Sequence, residues 1–146
     1  MKPKANLFLI GAAKSGTTSL AATLAKHPAI APLPIKEPGH FSTDLRTPLF
    51  TTQYNRLLQW DEDTYFKKAL LEERHIGFVE SEANYQKLVD QAVATYPEHT
   101  YLLDASTAYL YSANAPAQLR HYAADAKMVL LLRNPIERAY SHYTMA

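Results

Sequence analysis

The sequence predicts an α/β fold of three layers, with helices packed on a parallel central sheet and a topology like that of P-loop proteins. Two observations predict it. Short apolar runs alternate with helical patterns along the chain, as in consecutive βαβ units. The first apolar run also leads into a glycine-spaced turn, Gly11 to Gly16, which keeps the spacing of a phosphate-binding loop. A chain of 146 residues can bury its own core, so we expect one domain over residues 1–146.

The first half of the chain predicts a strand, a helix and then a long irregular segment. Asn6–Ile10 is a short apolar strand, and Thr17–Lys26 follows the glycine turn as a helix that Pro28 stops. Residues 28–50 are rich in proline, which predicts an irregular surface segment suited to the wall of a site.

The second half predicts alternating helices and strands. A helix is expected over Glu62–Arg74 with Asp61 as its cap, and another over Glu82–Tyr96 with Ser81 as its cap. The last predicted strand, Met128–Leu132, is apolar throughout, which is typical of a strand buried on both faces of a parallel sheet. The remaining predicted elements are strands over Tyr101–Asp104 and Met128–Leu132, a helix over Ala115–Ala124 and a helix opened by Asn134-Pro135.

Composition excludes several classes of function. The net charge of +1 argues against non-specific binding of nucleic acid by a basic surface, and the absence of cysteine excludes disulfides and thiolate metal sites. The histidines show no metal-ligand spacing, so no metal is expected. No apolar run is long enough for a signal peptide or a membrane span, which predicts a cytoplasmic protein. The chain ends inside a helical pattern, so we expect it to be truncated at its C-terminus.

The glycine turn is the first candidate site. Backbone N–H groups and the start of the following helix can hold an anion there. Lys14 lies inside the turn, and Thr17 occupies the place where an NTPase keeps its lysine. This displacement favours a nucleotide phosphate bound for something other than ordinary ATP hydrolysis; the alternative is a tight turn whose lysine is merely solvated.

The second candidate site follows the last strand. Arg133 lies at the carboxyl end of that strand, which is where open parallel sheets bind ligands. An arginine side chain can bind a phosphate through two N–H donors at once. Ser141 lies about two turns into the next helix. Arg138 occupies a nearby face of that helix, whereas Glu137 is expected to be a solvated charge.

Together these motifs resemble the PAPS-dependent sulfotransferase family, and most closely its bacterial and heparan-type branch. The resemblance rests on Ala-Ala-Lys-Ser-Gly-Thr-Thr at residues 12–18 and Leu-Leu-Leu-Arg-Asn-Pro-Ile-Glu-Arg-Ala-Tyr-Ser-His-Tyr at residues 130–143. It extends over nearly the whole chain, including Asp-Ala-Ser-Thr-Ala-Tyr-Leu at residues 104–110. It implies a fold related to that of P-loop nucleotide kinases. It also implies that 3′-phosphoadenosine 5′-phosphosulfate (PAPS) donates a sulfuryl group to an alcohol or amine and leaves as the 3′,5′-bisphosphate (PAP).

The resemblance also implies roles for individual residues. The 5′-phosphosulfate is expected to bind Lys14, Ser15, Gly16, Thr17 and Thr18, and the 3′-phosphate Arg133 and Ser141. A lysine inside the turn can lie beside the oxygen that bridges phosphate and sulfate, and stabilise the charge that grows on it as the S–O bond breaks.

A third segment, Lys36-Glu-Pro-Gly-His-Phe41, carries the candidate general base. Glu37 matches the glutamate proposed as base in the heparan-type branch, and His40 is its rival, since the usual histidine pKa suits the task. Two departures from the family pattern stand out. Gly39 lies where a histidine often follows the proline, and Asp104-Ala105 lies where heparan-type enzymes have a lysine nearby.

Two other functions remain open on the sequence. One is a P-loop nucleotide or small-molecule kinase, with Asp104 holding magnesium as a Walker-B aspartate does. The other is a non-catalytic nucleotide-binding module. For the sulfotransferase, the acceptor is open among sugars, lipids, polyketides and small phenols, and the sequence indicates no oligomeric state.

Overall fold

A parallel sheet of four strands forms the centre of the structure, a computed structural model that describes residues 1–46 and 55–144. The strand order is β2–β5–β1–β6, so β1 is an inner strand with a later strand on each side. Two further strands, β3 and β4, pair in parallel as a separate small sheet. The strands are β1 Leu7–Gly11, β2 Ile30–Pro32, β3 Ile35–Glu37, β4 Arg74–Ile76, β5 Tyr101–Asp104 and β6 Lys127–Leu130.

Helices begin where the sequence predicts caps. Asp61, Ser81 and Asn134 each accept a hydrogen bond from a backbone N–H in the first turn of the helix that follows. Residues 55–58 are also helical. The longer helices are α1 Thr17–Leu24, α2 Glu62–Phe66, α3 Glu82–Thr95, α4 Ala115–Tyr122 and α5 Pro135–Tyr143.

Alternation along β1 divides the core between the two faces of the sheet. Phe8 points into the larger cluster, where its ring packs against those of Phe41 and Tyr109. Tyr85 of α3 packs on Phe41 in the same cluster, which also contains buried side chains of α4. Leu7 and Leu9 point to the other face and pack with Ala21 of α1. The α/β prediction with a parallel central sheet is therefore confirmed.

The predicted irregular segment over 28–50 is wrong in part, because β2 and β3 lie within it. Ile35 and Phe41 are buried in the larger cluster, so this stretch is not a surface segment. Strands of three residues are too short to show alternation in a sequence. Among the strands that the structure describes, β2 pairs with β5 alone, and proline is tolerated on such an edge strand, here as Pro32. Residues 47–50 of the predicted segment lie outside the described residues.

The predicted helix over Glu62–Arg74 is also too long. It ends at Phe66, and the chain then returns as β4, where Arg74 pairs with Ile35. Helical spacing cannot reveal this change, because the pairing depends on β3, almost forty residues earlier in the sequence. Trp60 is buried beside this segment, and its indole N–H donates to the Phe78 carbonyl over 2.9 Å.

The last apolar strand is not buried on both faces. β6 is an edge strand of the described sheet, and Met128 and Leu130 keep 46% and 44% of their surface exposed. An apolar run records only that a strand could be covered. It does not say which neighbours lie beside it.

We predict that Leu88→Ala lowers the free energy of unfolding by about 2–5 kcal/mol, because Leu88 is fully buried and its removal leaves a cavity. Leu70→Ala is the matched control, since Leu70 is 72% exposed, and it should change stability by less than about 0.5 kcal/mol. Urea unfolding measures both. Similar losses in the two variants would contradict the described core.

Candidate active site

The glycine turn leaves β1 at the carboxyl edge of the sheet and is held there by β6. Ala12 N–H donates to the Leu131 carbonyl over 2.8 Å, and Leu131 N–H donates back to the Gly11 carbonyl over 2.9 Å. Lys14 and Gly16 both have left-handed backbone, with φ of 61° and 89°. Left-handed residues within a turn aim successive N–H groups at one concave point, which is an anion-binding arrangement. Only glycine adopts the Gly16 conformation without strain.

The start of α1 leaves polar groups available to an anion. Gly16 is the cap residue and supplies no side chain to accept the first helical N–H groups. Ser15 is only 9% exposed, and its hydroxyl has no hydrogen-bond partner among residues 1–46 and 55–144. A buried hydroxyl without a partner costs free energy. These groups therefore fit an anion such as phosphate or sulfate, whose oxygens accept such donors.

Arg133 brings the second motif to the glycine turn. Its Nη1 donates to the Lys14 carbonyl over 3.3 Å, although 119 positions separate the two residues. Its Nε lies 3.4 Å from a carboxylate oxygen of Glu137. Both contacts are long and exposed. Ser141 lies half-buried on α5, and no hydrogen bond in residues 1–46 and 55–144 joins it to Arg133.

A cleft of about 560 Å³ separates the glycine turn from α5. On one side is Ala13 of the turn. Arg138 forms part of the opposite side, where its Nη1 donates to the Tyr111 hydroxyl over 2.7 Å, so it is not simply a solvated helix charge. The other lining residues are Ala139, His142 and Tyr143.

Glu37 ends β3 and is held through both carboxylate oxygens. One accepts from Lys36 Nζ over 2.8 Å, and the other from Thr107 Oγ1 over 2.9 Å. Its side chain keeps 20% of its surface exposed. A carboxylate offers about four acceptor positions, so this one can still receive a proton. Sequence reasoning missed Thr107 because a contact across 70 positions leaves no local signal.

His40 is packed as well as polar. Its ring stacks on Tyr85 with centroids 4.5 Å apart, and its Nδ1 lies 2.8 Å from the Val79 carbonyl. That contact assigns the proton to Nδ1, which leaves Nε2 as the acceptor. Burial lowers the pKa of His40 below its usual value, so the neutral ring is favoured.

Gly39 explains why this chain departs from the family pattern next to Pro38. Its φ is +57°, and a Cβ there would lie 2.7 Å from the Phe78 ring. Its N–H donates to the Ser106 hydroxyl over 3.1 Å. A histidine at this position would therefore be strained and would clash with Phe78.

Arg46 secures the same turn and was not identified from the sequence. Its Nη2 donates to the Gly39 carbonyl over 2.7 Å and also contacts the carbonyls of His40 and Val79. One half-buried guanidinium thus binds three carbonyl groups at the segment that follows Glu37. An arginine in an irregular, proline-rich stretch gives no sign of this role.

Asp104 is a fully buried carboxylate that accepts three hydroxyl groups. Tyr85 and Tyr109 each donate to Oδ2 over 2.8 Å, and Ser106 donates to Oδ1 over 2.6 Å. Burial raises the pKa of Asp104 to about 6, although the three hydrogen bonds oppose this. Both oxygens are already engaged, so the carboxylate is unsuited to the magnesium role considered for a kinase. Across the described ranges, no group of three or more histidine or acidic side chains could hold a metal ion.

Comparison with known proteins identifies the family of this chain. The sequence model of one protein family, described as "Sulfotransferase family", matches residues 6–146 of this chain. The chain belongs to the sulfotransferase family. The resemblance found in the sequence is therefore confirmed.

Named relatives are similar over almost all of this sulfotransferase chain. It is 28% identical over 139 residues to a bifunctional heparan sulfate N-deacetylase/N-sulfotransferase 1 from Caenorhabditis briggsae. It is 29% identical over 138 residues to the membrane-associated sulfotransferase kil1 of Dictyostelium discoideum. Each match covers 94% of this chain but only 12% and 22% of those proteins.

A solved structure supports the same fold. The sulfotransferase from Alicyclobacillus acidocaldarius superimposes with a TM-score of 0.76 at 28% identity. The match covers 98% of this chain and 50% of the solved one, so the chain spans half the length of that relative. Within the residues that the structure describes, no helix is both long and apolar enough to cross a membrane.

We predict that Asp104 makes the free energy of unfolding fall as pH rises from about 4 to about 6. The unfolded chain ionises near 3.8, whereas the folded chain holds the proton until about 6. Protonation of Asp104 therefore contributes its full stabilisation of the folded state below pH 3.8. This stabilisation is lost as the pH rises to the folded-state pKa of about 6. The expected loss is on the order of 2–3 kcal/mol.

Denaturant unfolding at several pH values gives the free energy of unfolding of the wild type and of Asp104→Asn. The difference between the two isolates the contribution of Asp104, because the other carboxylates contribute equally to both proteins. Tyr85→Phe keeps the carboxylate and removes one hydrogen-bond donor, so it should raise the pKa of Asp104 further. The free energy of unfolding should then continue to fall to a higher pH than in the wild type. A wild-type minus Asp104→Asn difference that is flat between pH 4 and 6 would contradict the assignment.

Proposed function

We propose that this chain binds PAPS and transfers its sulfuryl group to a hydroxyl or amine acceptor. The contact between Arg133 and the Lys14 carbonyl carries the proposal, because it brings the glycine turn and the second cationic motif to one edge of the sheet. A doubly phosphorylated nucleoside needs two separated anion sites. The cleft between Ala13 of the turn and α5 leaves room for part of such a molecule.

The glycine turn would hold the 5′-phosphosulfate. Its left-handed backbone, the start of α1 and the buried Ser15 hydroxyl support this role. Thr17 and Thr18 begin α1, so their N–H groups face the same anion. Arg133 and Ser141 would hold the 3′-phosphate. The long contacts of Arg133 with Glu137 and with the Lys14 carbonyl can be replaced by two shorter, parallel hydrogen bonds to a phosphate.

The transfer would be a direct displacement at sulfur. The acceptor oxygen forms a bond to sulfur as the bond from sulfur to the bridging oxygen breaks, and PAP leaves with that electron pair. Lys14 would stabilise the charge on the departing oxygen. Glu37 would take the proton of the acceptor hydroxyl. The products are a sulfate ester, PAP and a protonated Glu37 that returns its proton to solvent.

Glu37 is the better-supported base of the two considered. Thr107 and Lys36 orient its carboxylate while part of it stays exposed. His40 is stacked on Tyr85 and tied to Val79, and we assign it to the wall of the site. The non-catalytic nucleotide-binding module is the second candidate, because a turn that binds an anion can hold a nucleotide whether or not transfer follows.

We predict that Lys14→Ala lowers the release of PAP from PAPS by at least about a hundredfold, because one placed charge on the departing oxygen is lost. Lys26→Ala, an exposed change near the end of α1, is the control and should release PAP at the wild-type rate. Chromatographic measurement of PAP, with circular dichroism to check folding, gives the result. Near-normal turnover in Lys14→Ala would remove Lys14 from the mechanism, and no turnover in the wild-type chain would favour the binding module.

We predict that Arg133→Ala weakens binding of adenosine 3′,5′-bisphosphate by about 10–100-fold but changes binding of AMP little, because only the former carries a 3′-phosphate. Arg120→Ala, an exposed change on α4, should alter neither. Calorimetric titration of the three proteins with both nucleotides measures this. Equal losses for the two ligands would contradict the 3′-phosphate assignment.

A further inference from the structure

A second groove, of about 500 Å³, runs along the edge of the sheet at β2, between α1 and α3. Its volume is in the range of small-molecule sites. Small apolar side chains make up much of its surface and leave it open. Those that matter for the argument are Ala21, Ala22, Ala25, Leu33, Ala92 and Leu103.

This groove adjoins the candidate active site at two points. Thr18, the last residue of the glycine motif, lies in its wall. Lys36 also lines it, and its Nζ is ion-paired with Glu37 over 2.8 Å. A molecule in the groove therefore contacts residues next to both the proposed sulfate position and the proposed base.

The lysine and the arginine that line the groove are already engaged. Lys36 is paired with Glu37, and Arg74 donates to the carbonyls of Ile76 and Leu58 while its guanidinium lies 5.0 Å from the Trp60 ring centre. A polyanion in this groove would have to compete with those contacts. The exposed acid Glu73 in the same wall would also repel it.

The two polar side chains that α3 contributes are likewise satisfied by the protein. The Thr95 hydroxyl donates to the Gln91 carbonyl over 2.8 Å. The Gln91 amide accepts from Leu71 N–H and donates to the Leu71 carbonyl, each over 2.7 Å. Few strong polar groups of the groove therefore need a ligand. An apolar occupant loses little by the absence of polar partners and gains from the burial of its surface.

We propose that this groove holds the apolar body of the acceptor, so that the acceptor is an alcohol with an alkyl or aryl body rather than an anionic glycan. The inference rests on the proposed function, because it takes the hydroxyl end of that molecule to lie at Glu37. It concerns this chain alone and not the acceptors of its relatives.

The test is an NMR titration of the ¹⁵N-labelled chain with n-octanol and, separately, with a sulfated uronate–glucosamine disaccharide. Octanol should shift the amides of Ala21, Ala25, Leu33 and Ala92 in a saturable way, and the disaccharide should not. Ala22→Leu fills the groove and should weaken octanol binding by about tenfold or more. Ala94→Leu makes the same change at an exposed position of α3 outside the groove and should leave binding unchanged.

Three outcomes would overturn the proposal: no saturable octanol shifts in the groove, disaccharide shifts there, or equal octanol affinity in Ala22→Leu and Ala94→Leu. A parallel titration with PAP separates this inference from the proposed function. Octanol binding without PAP binding would support the apolar groove and reject the donor site. PAP binding without octanol binding would reject the groove as an acceptor site and keep the donor site.

Discussion

The parallel pairing of β1 with β5 on one side and β6 on the other is the constraint on which the site depends. Leu7 lies level with Leu103 and with Lys127, so all three strands run to the same edge. The glycine turn, the Asp104–Thr107 segment and Arg133 follow those three strands. Parallel strands deliver their following residues to one edge. Groups more than a hundred positions apart therefore meet without any of them being close in sequence.

A buried carboxylate connects the core to the segment that carries the candidate base. Asp104 accepts a hydrogen bond from the Ser106 hydroxyl. Because that hydroxyl has a single hydrogen, its oxygen is left to accept the hydrogen bond from Gly39 N–H. The next residue, Thr107, contacts Glu37 directly. Tyr85 joins Asp104 to the ring of His40. The position of the candidate base thus follows from a polar network inside an aromatic core, and such networks are rigid when every member is satisfied.

The sequence predicted the features that depend on local chemistry. The glycine turn, the caps at Asp61, Ser81 and Asn134 and the alternation of strands with helices are local, and the structure contains them. The errors fall where pairing is distant: β3 and β4 are three residues each and exist only because they meet. Arg46 and Thr107 act on residues that neither spacing nor composition brings near them. The roles of Lys14, Glu37, Arg133 and Ser141 stay predictions until nucleotides are bound.

The exposed edge at β6 also bears on how the domain behaves in concentrated solution. Its outer backbone groups have no ladder partner among the described strands, so an extended peptide could add to it. Lys127 and Arg133 bracket the apolar run Met128–Leu132. If two copies paired antiparallel along this run, the positive ends would face each other and repel. Pairing of two copies along this run would therefore be disfavoured by charge, and less so at high salt, which screens the repulsion.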